Sequence, residues 1–99
     1  MLSITKNVEN STTTLAVSGR LDTVTAPQLE AEINSSLDGT TFLILNFKNL
    51  EYVSSAGLRV ILSAQKKMNA QGEMKLTNVN ADVMEILEIT GFADIINIE

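Results

Sequence analysis

The sequence predicts a single α/β domain of the order β-β-α-β-α-β-α-β, with helices packed on a mostly parallel mixed sheet of four to five strands. Three observations predict this fold class. The chain has 99 residues, of which 44% are hydrophobic, enough for one core and hence one domain over residues 1–99. Short segments in which apolar and polar residues alternate are followed by segments in which apolar residues recur at helical spacing. Glycine, proline and asparagine separate them.

A hairpin opens the predicted sheet. Apolar and polar residues alternate over 2–8 and again over 12–18, on either side of the turn-forming residues 9–11. Gly19 is expected to end the second strand.

The first helix and a central strand follow the hairpin. Thr25 is the expected start of the helix, with Pro27 in the first turn and Gln28 placed to complete a capping box. The apolar face of this helix comprises Ala26, Leu29, Ile33 and Leu37. After the stop signal at 38–39, the continuous apolar run TFLILNF at 41–47 is too short for a helix, and it predicts a strand covered on both sides.

The stretch LEYVSSAGLRVIL, residues 50–62, passes from a strand-like approach into a second helix that is expected to reach about Ala70. Gln71-Gly72 ends this helix. Its apolar stripe comprises Leu58, Ile61, Leu62 and Met68. Val60 lies off that stripe, so it either meets a neighbouring helix or belongs to a surface contact patch.

The last part of the chain predicts a strand, a helix and a closing strand. Residues 74–78 alternate as a strand, and Asn80 is the expected cap of the third helix. The apolar residues of this helix are Val83, Met84, Ile86 and Leu87. Gly91 closes it, and the final strand is expected at 95–98.

Composition excludes several classes of function. Cysteine and histidine are absent, which excludes disulfides, thiol nucleophiles and Ser-His-Asp catalysis. No metal or cofactor is expected, and the four methionines, which fall mostly at core positions, need no cofactor to explain them. The net charge of −5 and the scattered basic residues argue against nucleic acid as a partner. With no apolar run of membrane-spanning length, we expect a cytoplasmic protein without membrane insertion.

Ser54 and Ser55 stand where the second helix begins. A helix start carries unpaired backbone N–H groups and the positive end of the helix dipole, so it stabilises a negative charge added to a hydroxyl. Serine is also among the commonest N-cap residues, and a plain cap is the alternative interpretation.

Three βα loops are expected to meet at the carboxyl edge of the sheet, where partners usually bind. These loops are residues 19–25, 46–55 and 78–82. If the topology is right, Asp22 and Thr23 lie beside Ser54 and Ser55.

Three segments carry a resemblance to a known family. They read GRLDTVTAPQLE (19–30), LNFKNLEYVSSAGLRVIL (45–62) and VMEILEITGFADIINI (83–98). Over nearly the whole chain, the sequence resembles the STAS domain of bacterial anti-sigma factor antagonists. Many members read aspartate, phosphorylated serine, serine or threonine, glycine and leucine at the central motif.

Against that pattern, Gly57 and Leu58 match and Ser55 falls at the phosphoacceptor. Ser54 replaces the aspartate and Ala56 replaces the second hydroxyl residue, so Ser54 is the second choice of acceptor. The resemblance implies a domain that binds an anti-sigma factor serine kinase when unphosphorylated and releases it when phosphorylated, thereby regulating transcription. A metal-dependent serine/threonine phosphatase would reset the switch. The implied partner-binding residues are Asp22, Thr23, Ser54, Ser55, Ala56, Gly57 and Arg59.

Some of these residues, and the function itself, have an alternative interpretation. Asp22 could bind backbone N–H groups of its own loop, and Gly57 could mark a close approach or simply be tolerated at a helix start. An enzyme is not expected: no P-loop is present, and a dyad of Ser55 and Lys66 would need groups about three turns apart. The serious alternative is a STAS subunit of a transport complex or signalling scaffold that binds its partner without phosphorylation.

Overall fold

The structure, a computed structural model, describes residues 2–99. It contains five strands, three α-helices and one short 3-10 helix. The strands are β1 (Leu2–Glu9), β2 (Thr12–Leu21), β3 (Phe42–Val53), β4 (Glu73–Thr77) and β5 (Asn97–Ile98). The α-helices are α1 (Ala26–Ser36), α2 (Ser55–Asn69) and α3 (Ala81–Ile89).

The five strands lie in chain order across one sheet. β1 and β2 form the predicted antiparallel hairpin, and β2, β3, β4 and β5 are parallel to one another. The predicted fold class and element order are therefore confirmed. Each connection between parallel strands leads to the next strand in the same direction across the sheet. Because such connections are right-handed, all three helices lie on one face of the sheet.

The core lies between that face and the helices. Leu15, Leu45 and Leu76, at equivalent positions of β2, β3 and β4, are each 0% exposed. The opposite face carries Thr14, Ile44 and other half-buried side chains. The prediction that the central strand is covered on both sides is therefore wrong, because none of the helices within residues 2–99 lies over the open face.

The pairing of β2 with β3 extends beyond the predicted strand ends. Gly19, with φ 99°, does not end β2 as expected. It lies at a register shift, after which the strand continues to Leu21. β3 correspondingly continues to Val53, which pairs with Leu21. Most of the predicted loop 46–55 is therefore strand, and Ser54 alone connects β3 to α2.

The start of α1 differs from the prediction in its hydrogen bonds. Thr25 is the N-cap residue, but its side chain makes no capping bond to the helix. The Gln28 amide instead donates to the carbonyl oxygen of Leu2 in β1 (3.1 Å). The predicted capping box is thus absent, because Gln28 ties the helix to the edge of the sheet.

The remaining differences concern α2 and the C-terminus. Val60 is 8% exposed and belongs to the core, so it is not part of a surface patch. Leu62 is only half-buried. The final strand begins at Asn97 rather than at 95, because residues 92–94 form the 3-10 helix. Within residues 2–99, no helix combines the length and the apolar content needed to cross a bilayer.

Candidate functional site

Ser54 links the end of β3 to the start of α2. Its N–H donates to the carbonyl oxygen of Leu21 in β2 (2.8 Å), and its own carbonyl oxygen accepts the first helical bond from Leu58 N–H (2.9 Å). Its Oγ accepts a hydrogen bond from Gly57 N–H (3.3 Å), as the N-cap of α2. Ser54 is half-buried, and its hydroxyl oxygen satisfies one of the unpaired donors of the helix start.

Ser55 is the first residue of α2 and is exposed. Among residues 2–99, its hydroxyl has no hydrogen-bond partner, whereas that of Ser54 is engaged in capping. The first turn of α2 contains no acidic side chain. An anion attached to Ser55 would therefore meet the positive end of a 15-residue helix without local repulsion from its own first turn.

Gly57 is buried under the start of α2 by side chains of the two neighbouring strand ends. A Cβ at this position would lie 2.7 Å from Leu21 Cγ and 3.0 Å from Val53 Cγ2. Of the two alternatives, the structure supports close approach, and the approaching groups belong to the domain itself. The packing brings the helix start directly onto the ends of β2 and β3.

The loop after β2 is held by a compact hydrogen-bond network around Asp22. One carboxylate oxygen, Oδ1, accepts from the N–H groups of Val24 and Thr25 (both 3.0 Å). The Thr25 hydroxyl accepts from Asp22 N–H (2.9 Å) and donates to the carbonyl oxygen of Arg20 (2.7 Å). Asp22 therefore organises its own loop, as the alternative interpretation proposed.

The hydrogen bond from Thr25 N–H is the largest cause that lowers the pKa of Asp22 below its ordinary value of 3.8. Desolvation, the second-largest effect, raises the pKa, and the Thr25 hydroxyl, Val24 N–H and the positive charge of Arg20 each lower it by less. The ionised form of the carboxylate is therefore the form that these hydrogen bonds favour.

This loop presents an apolar side chain that no sequence motif indicates. Val24 is 86% exposed, although the loop beneath it is fixed by backbone hydrogen bonds. The only signal in the sequence is one apolar residue inside the polar segment DTVT. A second missed feature is the Arg20 guanidinium stacked on the Tyr52 ring (4.4 Å to the centroid) at the ends of β2 and β3.

The structure brings the first two predicted loops together. Because Leu21 pairs with Val53, Asp22 and Ser54 follow directly on adjacent parallel strands. Thr23 is exposed beside them, and Arg59 is exposed one turn after Ser55 on α2. We term the exposed residues Thr23, Val24, Ser55 and Arg59, which belong to these two neighbouring segments, the Ser55 face. Ala56 and Gly57 lie beneath it, half-buried and buried respectively.

The third predicted loop is tied to the same edge through Asn80. Its Oδ1 accepts from Val83 N–H (2.8 Å), which confirms the predicted cap of α3. Its Nδ2 donates to the carbonyl oxygen of Leu50 in β3 (2.7 Å). Asn78, with φ 56°, donates to Asn46 Oδ1 (3.0 Å). The three loops therefore form one edge, and within residues 2–99 it holds no cluster of three acidic side chains suited to a metal ion.

The fold and this edge define a class: a small α/β domain that presents an exposed serine on a helix start beside an ordered loop. A model of the STAS domain family matches residues 3–99. The chain belongs to the STAS domain family.

Individual relatives agree with this assignment. A Bordetella bronchiseptica protein named as an anti-sigma factor antagonist, BtrV, is 40% identical over 79 residues, which cover 78% of this chain and 68% of that protein. The crystal structure of an anti-sigma factor antagonist from Mycobacterium paratuberculosis has a TM-score of 0.91 at 20% identity, covering 99% of this chain and 85% of that one. The Bacillus cell fate determinant SpoIIAA, solved in its phosphorylated form, has a TM-score of 0.76 at 21% identity, covering 98% and 91%.

Proposed function

We propose that this protein is an anti-sigma factor antagonist that is switched by phosphorylation of Ser55. In its unphosphorylated form it binds, through the Ser55 face, an anti-sigma factor that is also a serine kinase. Phosphorylation of Ser55 by that kinase separates the two proteins. A metal-dependent serine/threonine phosphatase then restores the binding-competent form.

The observation that carries this proposal is the contrast between the two serines. Ser55 is exposed and its hydroxyl has no hydrogen-bond partner among residues 2–99, whereas the Ser54 oxygen caps α2 and the Ser54 backbone is bonded to Leu21. A kinase active site must reach the hydroxyl and align it with the γ-phosphate, and only Ser55 offers this without breaking a cap. Ser54 stands where the family usually has an aspartate, and its hydroxyl oxygen caps α2.

A phosphate on Ser55 would act on the interface rather than on the fold. It adds about −1.5 to −2 charges at neutral pH. At a helix start each charge is stabilised by roughly 0.3–1 kcal/mol, so the domain tolerates it. A partner docked over the same hydroxyl would have to desolvate that charge, at a penalty of several kcal/mol unless it supplies a matching cation.

The comparisons support the same proposal. The Bordetella bronchiseptica relative and the Mycobacterium paratuberculosis structure are both named as anti-sigma factor antagonists. SpoIIAA has been solved in a phosphorylated form. These properties belong to those proteins, and their transfer to this chain is what the experiment below tests.

The test is a binding titration of the anti-sigma factor kinase encoded nearest to this protein's gene with three variants. Ser55→Asp should abolish binding while the circular dichroism spectrum stays that of the wild type, and Ser55→Ala should bind even after incubation with ATP. Ser11→Asp is the matched control, because it places the same charge in the exposed hairpin turn at the opposite edge of the sheet. Equal affinity for wild type and Ser55→Asp would refute the proposed face and favour a constitutive scaffold role.

A further inference from the structure

Arg59 lies one helical turn after Ser55 on the same side of α2. Both residues are exposed, whereas Leu58 and Val60 on either side of Arg59 are buried. Residues four apart on a helix are neighbours, with Cβ atoms about 5–6 Å apart. Long side chains on a helix point back toward its N-terminus, so Arg59 is placed to cover the turn that contains Ser55.

Arg59 has no anionic partner along its own helix. Its neighbours three and four residues away on α2 are Ser55, Ala56, Leu62 and Ser63. None of these four residues is acidic. Within residues 2–99, the only salt bridge joins Lys75 and Glu99, in β4 and after β5. The guanidinium group of Arg59 therefore has no carboxylate paired with it.

The acidic residues on the neighbouring strand ends are not paired with Arg59 either. Asp22 Oδ1 accepts hydrogen bonds from two backbone N–H groups of its own loop, and the basic side chain whose charge acts on this carboxylate is Arg20. Glu51 of β3 is exposed and makes no salt bridge within residues 2–99. A phosphate on Ser55 would thus be the first anion placed beside Arg59.

Arg59 is also the one charged residue among the four that define the Ser55 face. The unphosphorylated face therefore carries a single positive charge. A phosphoserine adds about −1.5 to −2 charges, so the modification reverses the sign of the face and places the new anion next to its cation. The anion would precede the cation in sequence by four residues, which is the more favourable order for an ion pair on a helix.

We propose that the phosphate on Ser55 forms an ion pair with Arg59 of the same chain, an inference that rests on the proposed phosphorylation of Ser55. The guanidinium group donates two N–H bonds to phosphate oxygens, the geometry for which arginine is suited. Phosphorylation then changes the Ser55 face in two ways. It adds an anion, and it withdraws the guanidinium group of Arg59 from any carboxylate of the partner.

The test is ³¹P NMR of the full chain with phosphoserine incorporated at position 55 during translation, which needs no kinase. The second pKa of phosphoserine is about 6, and an adjacent cation lowers it. Arg59→Gln should raise this pKa by at least ~0.3 units, the size expected of an exposed ion pair four residues apart. Arg59→Lys, which keeps the charge, should restore most of the lowering. The matched control Lys66→Gln removes a positive charge about three turns from Ser55 and should leave the pKa unchanged.

The Arg59 Nε–H signal reports the same contact from the other side. It should move downfield and exchange more slowly with water when position 55 carries phosphoserine, but not when the exposed Ser11 position carries it. An equal phosphate pKa in wild type and Arg59→Gln, or an Arg59 signal that does not respond to the phosphate, would overturn the proposal. Because no kinase takes part, these results are independent of the binding titration of the Ser55 variants, and each proposal fails on its own measurement.

Discussion

Replacing Gly57 by alanine tests how α2 is seated on the ends of β2 and β3. The new Cβ would lie 2.7 Å from Leu21 Cγ, 2.9 Å from Leu21 Cδ2 and 3.0 Å from Val53 Cγ2. Leu21 is 0% and Val53 2% exposed, so neither side chain has free space to move into. Overpacking of this kind costs about 1–3 kcal/mol, and the higher helix propensity of alanine returns at most about 1 kcal/mol. We expect a net loss of about 1 kcal/mol.

Urea unfolding followed by circular dichroism measures this loss, since domains of this size unfold with slopes of roughly 1–3 kcal/mol/M. Lys66→Ala, on the exposed surface of the same helix, is the matched control and should change the free energy of unfolding by less than about 0.5 kcal/mol. Leu21→Ala alone should cost about 2–5 kcal/mol. The double variant should be more stable than the sum of the single changes by about 0.5–3 kcal/mol, because the clash is gone. A Gly57→Ala protein as stable as wild type, with no coupling to Leu21, would refute the packing argument.

Three further predictions follow from the fold and the site. Gly72→Ala should destabilise the protein more than the change at Gly57, because its Cβ would overlap the backbone carbonyl group of Thr41, which cannot rotate away; urea unfolding measures the difference. An NMR pH titration should give Asp22 a pKa below 3.8. Because folding lowers this pKa, the ionised carboxylate stabilises the fold at pH values above the unfolded-state pKa, and this stabilisation is lost as the pH falls through the folded-state pKa. Val24→Ala should weaken kinase binding by about tenfold, because it removes the equivalent of two methylene groups at ~0.8 kcal/mol each. The free energy of unfolding should stay within about 0.5 kcal/mol of the wild type. Undiminished binding would remove Val24 from the Ser55 face.

The predictable parts of the structure are those encoded by nearby residues. Ser54 and Asn80 as helix caps follow from short-range patterns, and both cap α-helices here. The adjacency of Asp22 and Ser54 followed from parallel topology, which places the carboxyl ends of strands at one edge. The roles of Asp22, Thr23, Ala56, Gly57 and Arg59 toward a partner remain predictions.

The unpredicted parts depend on contacts between distant residues. The extension of β3 through the polar segment KNLEY, residues 48–52, is stabilised by pairing with β2 across a bulge at Gly19, which no local alternation reveals. The apolar run at 41–47 indicated two covered faces, but the common direction of all crossovers leaves one face open. Gln28 matched a capping motif, yet its amide bonds to Leu2, a residue that the hairpin brings alongside.

The most direct test of the switch is to locate the phosphate after incubation with ATP and the partner kinase. Intact mass followed by fragment mass spectrometry should find one phosphate on Ser55. It should be lost in Ser55→Ala and kept in Ser54→Ala, whose altered cap lowers stability by roughly 0.5–2 kcal/mol but leaves the acceptor hydroxyl in place. Phosphate on Ser54, or no phosphate on either serine although the kinase binds, would contradict the account.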